Sequence, residues 1–135
     1  MSKEDVDLVR KSVEAFGRND RDGALALWAE DATTAAPPDW PEAGESKGRE
    51  EIRAVFDGFD DAFGPDWPLD LTIVRIEDAG GGRILVTQDW DTSGASSGAT
   101  VSGEIAAVFT VRDGLIRHGV YFTSHDEGRK EAGLQ

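Results

Sequence analysis

Apolar positions along the chain follow two periods. The longest apolar stretch, residues 101–124, reads VSGEIAAVFTVRDGLIRHGVYFTS. Two runs rich in β-branched and aromatic residues flank Arg112-Asp113-Gly114. Asp-Gly between such runs marks a tight hairpin, because Gly tolerates the positive φ of a primed turn. The spacing predicts antiparallel strands over 101–111 and 115–124, long enough to form the centre of a sheet. Two more strands are predicted upstream, over 69–77 and 84–92, joined by a glycine-rich turn at 78–82. The helical period appears elsewhere. Val6, Val9, Val13 and Phe16 share one face of a helix over 2–16, and Ser2 with Asp5 resembles a capping box. Leu25, Leu27 and Trp28 mark a shorter helix over 22–30. Ile52, Val55, Phe56, Phe59 and Phe63 line a third over 49–63, and Gly64-Pro65 ends it. A short strand at 33–36 and a frayed helix at 126–135 complete the pattern. Residues 37–47 (PPDWPEAGESK) and 93–99 (SGASSGA) read as loops. The order is helix, helix, strand, helix, four strands, helix. This is an α+β chain with a mostly antiparallel sheet.

Composition narrows the function classes. At 135 residues the chain forms one domain, 1–135, with enough surface to bury for a single core. It has no cysteine, which excludes a disulfide framework and thiolate chemistry. The formal net charge of −13 argues against nucleic acid and anionic membranes as partners. No window approaches the ~20 apolar residues of a membrane span, and no apolar leader follows Met1. The expectation is a cytoplasmic protein. His118 and His125, the two histidines, show no ligand-set spacing with carboxylates, so no metal and no cofactor is expected.

The succession AFGRND, ALALWAEDA, PDWPEAG, GREEIRAVF and VRDGLI resembles the NTF2-like superfamily, and within it the SnoaL-like polyketide-cyclase group. The resemblance runs from about Val6 to Leu134. It implies an NTF2-like cone, in which a curved sheet wraps around the three helices of the N-terminal half and leaves an apolar pocket at one end. Members include isomerases, hydrolases, dehydratases, cyclases and binding proteins, so fold alone does not fix function. Transferred onto this chain, the four chemical groups of ketosteroid isomerases fall near Ser12, Ala36, Phe56 and Ala106, none of which is an acid or base. Ketosteroid isomerase activity is therefore not expected. Where many SnoaL-like relatives carry an aspartate after the last strand, this chain has Ser124, with Asp126 two residues on.

The family pattern further implies that Val86, Gln88, Trp90, Ser102, Glu104, Ala106, Val108, Gly119, Tyr121 and Thr123 face the cavity. Ile105, Ala107, Phe109, Ile116, His118, Val120 and Phe122 would then face outward. Those outer positions are at least as apolar, so alternation alone does not choose a side. With the family facing, the outer face calls for cover, and a homodimer through the sheets is the expected remedy. The candidate ligand-binding set is Trp28, Trp40, Phe56, Phe59, Val86, Gln88, Trp90, Val108 and Tyr121. Trp40 sits among Pro37, Pro38 and Pro41, as either a pocket wall or a packing residue. Glu104 and Tyr121 are the catalytic candidates. Glu104 is either a pocket acid/base or a rim carboxylate, in water or paired with Arg117 or Arg53. The expected function is binding of a small lipophilic molecule of polyketide, terpenoid or steroid type. Two alternatives stand beside it: an acid/base enzyme (cyclase, isomerase, dehydratase or hydrolase) using Glu104 or Asp126, and a non-catalytic dimeric interaction module.

Overall fold

The computed structural model describes residues 2–18, 20–36, 44–63, 70–91 and 102–134, with the backbone alone for Ser2, 58–63 and Asp70. The elements are α1 (Ser2–Gly17), α2 (Arg21–Leu25), β1 (Trp28–Ala36), β2 (Gly44–Lys47), α3 (Arg49–Phe63), β3 (Asp70–Gly80), β4 (Arg83–Asp91), β5 (Ser102–Arg112), β6 (Leu115–Phe122) and α4 (His125–Ala132). The strands form one curved, unclosed sheet in the order β2-β1-β6-β5-β4-β3. All neighbours are antiparallel except β1 and β6, which run parallel.

The β5–β6 hairpin forms as its sequence requires. Arg112 pairs with Leu115, and Asp113 and Gly114 both take positive φ, 56° and 75°. That is the two-residue primed turn whose twist matches the strands. The inner face of the sheet receives α1 and α3. Its main core joins Val9, Val13, Leu25, Trp28, Ile52 and Phe56 to Ile84, Val86, Ala107, Phe109, Val111, Ile116 and Tyr121. A smaller cluster on the outer face joins Leu85, Ala106 and Val108 to Ala132 of α4.

The structure corrects four expectations. The helix read over 22–30 stops at Leu25, and Trp28 opens β1 instead. The helix-favouring run ALALWAE yields because Trp28 pairs with Ile116 and the Leu27 carbonyl accepts the Ile116 N–H at 3.0 Å. Tertiary pairing outweighs a propensity worth a few tenths of a kcal/mol per residue. Residues 44–47, read as loop, pair with β1 as strand β2.

The third correction concerns facing. Val86, Ala107 and Tyr121 lie side by side across three strands. This puts Ala107 and Phe109 inside. Ser102, Glu104, Ala106 and Val108, expected in the cavity, lie on the outer face instead. Expected outward, Phe109 and Ile116 are buried in the main core. Periodicity does not separate these alternatives, because α4 covers the outer face and both sides of β5 are apolar. The fourth correction follows from the third. The apolar outer face that motivated a sheet-to-sheet dimer shrinks: Phe109 and Ile116 are internal, and Phe122 packs against the α4 cluster.

α4 is set down closely on the sheet. Ser124, the residue before it, accepts the Glu127 N–H, and Gly133 closes it in the left-handed conformation. A Cβ on Gly128 would lie 2.4 Å from the Ala106 Cβ. Arg129 pairs with Glu77 of β3, and Arg83 donates to the Glu131 carbonyl. In Gly128→Ala the helical gain of about 1 kcal/mol is outweighed by an overpacking cost of about 1–3 kcal/mol. Urea unfolding should show lower stability, and hydrogen exchange should rise first in the amides of α4.

Candidate functional site

The inner face narrows at one end into a line of rings. Trp28 and Phe109 meet edge to face at 5.7 Å, Phe109 and Tyr121 at 5.9 Å, and Tyr121 and Phe56 at 6.1 Å. Phe56 stacks on Phe16 at 4.4 Å. Gly119 makes room for this line, since a Cβ there would stand 3.1 Å from both Phe109 and Trp28. Trp28 is fully buried. Its Nε1 donates to Ser12 Oγ at 2.9 Å, and Ser12 donates onward to the Ala24 carbonyl at 3.1 Å. The indole N–H and the hydroxyl thus satisfy each other inside the core.

Past Tyr121 the inner face becomes more open. Gln88 and Trp90 of β4, Gly103 and Ile105 of β5 and Ile73 of β3 are all half-buried there. Gly103 lies directly across from Trp90. A Cβ on Gly103 would come within 2.6 Å of the Trp90 ring, so the indole packs directly against the glycine. A glycine inside a strand marks such a close approach. This is the one signal in the sequence that could have located the Trp90 platform. Burial raises the Tyr121 phenol well above its ordinary range. Desolvation of the phenolate is the cause, so the hydroxyl stays a donor across the physiological range.

The sequence-derived candidates therefore divide. Phe56, Val86, Gln88, Trp90 and Tyr121 share the inner face, with Val86 fully buried below Gln88. Trp28 belongs to the closed narrow end. Val108 is buried on the outer face under α4. Trp40 and the side chain of Phe59 lie outside the described residues. Glu104 is on the opposite face from Tyr121. It accepts the backbone N–H of His125 at 2.9 Å, at the start of α4, and pairs with neither Arg117 nor Arg53. Asp126 is exposed in the first turn of that helix. Ala106 is also outer, and its inner-face neighbours Ile105 and Ala107 are aliphatic, so no carboxyl replaces it. His118 shares a 2.6 Å hydrogen bond with Thr33 on the outer face.

Sequence reasoning missed a cluster on that outer face. His125 Nε2 lies 2.9 Å from the Gln88 carbonyl and 3.2 Å from Asp89 Oδ1. Its Nδ1 is 4.0 Å from Glu104 Oε2. Among the described residues no group of three His, Asp or Glu side chains is placed to hold a metal ion. A separate crevice of about 270 Å³ between α2 and α3 is lined by Asp22, Leu25, Ala26, Arg49, Glu50 and Arg53. Its arginines are engaged, Arg53 with Asp22 and Arg49 with the Trp28 carbonyl.

A model of the SnoaL-like domain matches residues 9–119. The chain belongs to the SnoaL-like family. No curated protein matches it. Several solved structures share the fold. An NTF2-like protein of unknown function from Burkholderia pseudomallei superposes with a TM-score of 0.75 at 22% identity, covering 94% of this chain and 95% of its own. TerC, crystallised with polyporic acid, gives 0.76 at 16% identity, over 96% and 98%. A candidate polyketide cyclase from Xanthomonas campestris gives 0.67 at 21% identity, over 97% and 98%. No helix in the described part of this SnoaL-like domain is long and apolar enough to cross a membrane.

Within the domain, Ser12 illustrates how the narrow end is closed. Ser12→Ala leaves the Trp28 N–H and the Ala24 carbonyl without that hydroxyl. The expected loss is about 1–3 kcal/mol, read by urea denaturation.

Proposed function

We propose that this SnoaL-like protein binds an uncharged, lipophilic small molecule of polyketide, terpenoid or steroid type on the inner face of its sheet, beyond Tyr121. One observation carries the reading: the Trp90 indole packs against Gly103 where the inner face opens. That arrangement offers a rigid aromatic wall fixed by two strands. The polar groups beside it are few, as in most small-molecule pockets. Gln88 offers both a donor and an acceptor, and the buried Tyr121 phenol keeps its proton. Trp40 and Phe59 remain proposed walls on sequence grounds.

Binding is favoured over acid/base catalysis by the placement of the carboxylates. Glu104 faces α4, and Asp126 is on α4 itself. Along β4, β5 and β6, the described inner-face residues are apolar apart from Gln88 and Tyr121. An acid or base must come within hydrogen-bond reach of its proton, and neither carboxylate is on the ligand's side of the sheet.

The test is a titration with Nile red, an uncharged lipophilic dye, followed by its own fluorescence and by quenching of tryptophan. Saturable binding is expected for the wild-type protein. Gly103→Ala should weaken it about 5-fold, because the displaced indole forfeits an aromatic contact of about 1 kcal/mol. Trp40→Ala should also weaken it. Absence of saturable binding by the folded wild-type protein, with Nile red and with a panel of terpenoids, steroids and aromatic polyketides, would overturn the reading.

A further inference from the structure

Asp89 and Glu104 stand directly opposite each other on β4 and β5. Like charges in that position repel and weaken the pairing. His125 is the side chain that lies between them. Its Nε2 faces two acceptors, the Gln88 carbonyl at 2.9 Å and Asp89 Oδ1 at 3.2 Å. That nitrogen therefore carries a proton in the neutral ring as well as in the charged one. Nδ1 faces Glu104 Oε2 at 4.0 Å. In the neutral ring a lone pair points toward the carboxylate, and a second proton converts the same contact into a donor facing an acceptor.

The backbone oxygen that His125 grips belongs to Gln88, whose side chain emerges on the opposite, inner face. The next inner-face residue is Trp90. The imidazole thus holds, from behind, the end of β4 that carries both open-face candidates. We propose that His125 is a positioning residue for the ligand site: acting through β4 from the far face of the sheet, it sets the placement of Gln88 and Trp90 and makes ligand affinity depend on pH. The affinity half of this proposal rests on the inner-face binding site proposed above. The placement half does not.

The groups facing His125 come from every element around it. Asp89 comes from β4 and Glu104 from β5, and Asp126 and Glu127 follow in the first turn of α4. Glu104 also accepts the first backbone N–H of that helix. From β6 the outer face contributes Phe122, packed against the same cluster. From β3 it contributes Arg75, across from Thr87, and Glu77, which is engaged with Arg129 a turn further along. In the charged ring both nitrogens are donors, Nε2 toward Gln88 and Asp89 and Nδ1 toward Glu104, and the clamp is complete. In the neutral ring the Nδ1 contact is lost and the clamp loosens.

The experiment follows the free protein and the Nile red complex between pH 5.5 and 8. In the wild-type protein, the indole N–H resonance of Trp90, assigned with Trp90→Phe, should move with pH. Nile red should bind about 3-fold more tightly at pH 5.5 than at pH 8, the size of a partly exposed ion pair. His125→Gln keeps a donor for the Gln88 carbonyl but cannot titrate. It should retain binding, with both profiles flat. His125→Ala should displace the Trp90 resonance at every pH and weaken binding. His118→Gln, which removes the other histidine, should leave both wild-type profiles in place. A Trp90 resonance that ignores pH in the wild-type protein, or that titrates equally in His125→Gln, would overturn the proposal. Failure of Nile red to bind at any pH would overturn the inner-face site and the affinity dependence that rests on it, while the resonance would still decide the placement.

Discussion

The register that aligns Val86, Ala107 and Tyr121 across β4, β5 and β6 is the constraint on which both faces of the molecule depend. Side chains alternate strictly along a strand, so a slip of one residue would exchange the faces completely. In the observed register, Phe109 and Tyr121 join Trp28 and Phe56 in the ring line that closes the narrow end. The same register sends Glu104 to the outer surface opposite Asp89, where a cation or a donor is needed between them. The candidate pocket and the His125 cluster are therefore two consequences of one pairing, seen from opposite sides of a single layer of backbone.

Much of the fold was legible because local chemistry and global fold agreed. Asp113-Gly114 specified its turn, and the apolar spacing of Val9, Val13, Ile52 and Phe56 specified which helix faces are buried. The NTF2-like, SnoaL-like resemblance was borne out by the family match and by the folds of solved relatives. What failed was legibility at β5. Ala106 and Val108 are as apolar as Ala107 and Phe109, since a helix covers one side and the main core the other. A strand buried on both faces carries no alternation to read. Trp28 misled for a related reason: its neighbours favour helix, and only a partner strand almost ninety residues away shows that it begins a sheet.

The candidate site was legible in part. Gln88, Trp90 and Tyr121 were placed on a common face, and the structure keeps them together. Glu104 was assigned to the same face, although its partner was a backbone N–H that no side-chain pattern reveals. α4 has few apolar side chains of its own to bury, chiefly Ala132, and compensates with the close approach of Gly128 and polar ties to Glu77, Asp89 and Glu104. A helix held in this way reads as frayed in sequence, because its attachments come from β3, β4 and β5 rather than from a hydrophobic stripe.

The parallel pairing of β1 with β6 bears on how the chain reaches its native state. Thr33 and His118, 85 residues apart, are neighbours across that seam. The hairpins β3–β4 and β5–β6 close over short separations and can assemble early. The β1–β2 hairpin can form by itself, but it has no place in the sheet until the C-terminal hairpin exists. Joining such distant segments sacrifices chain entropy before any contact repays it. During synthesis, the first half of the chain leaves the ribosome with its helices and one hairpin but without the seam that holds them. Docking of β1 onto β6 is thus a late event, and until then the free edge of β1 stays open to pairing with other chains.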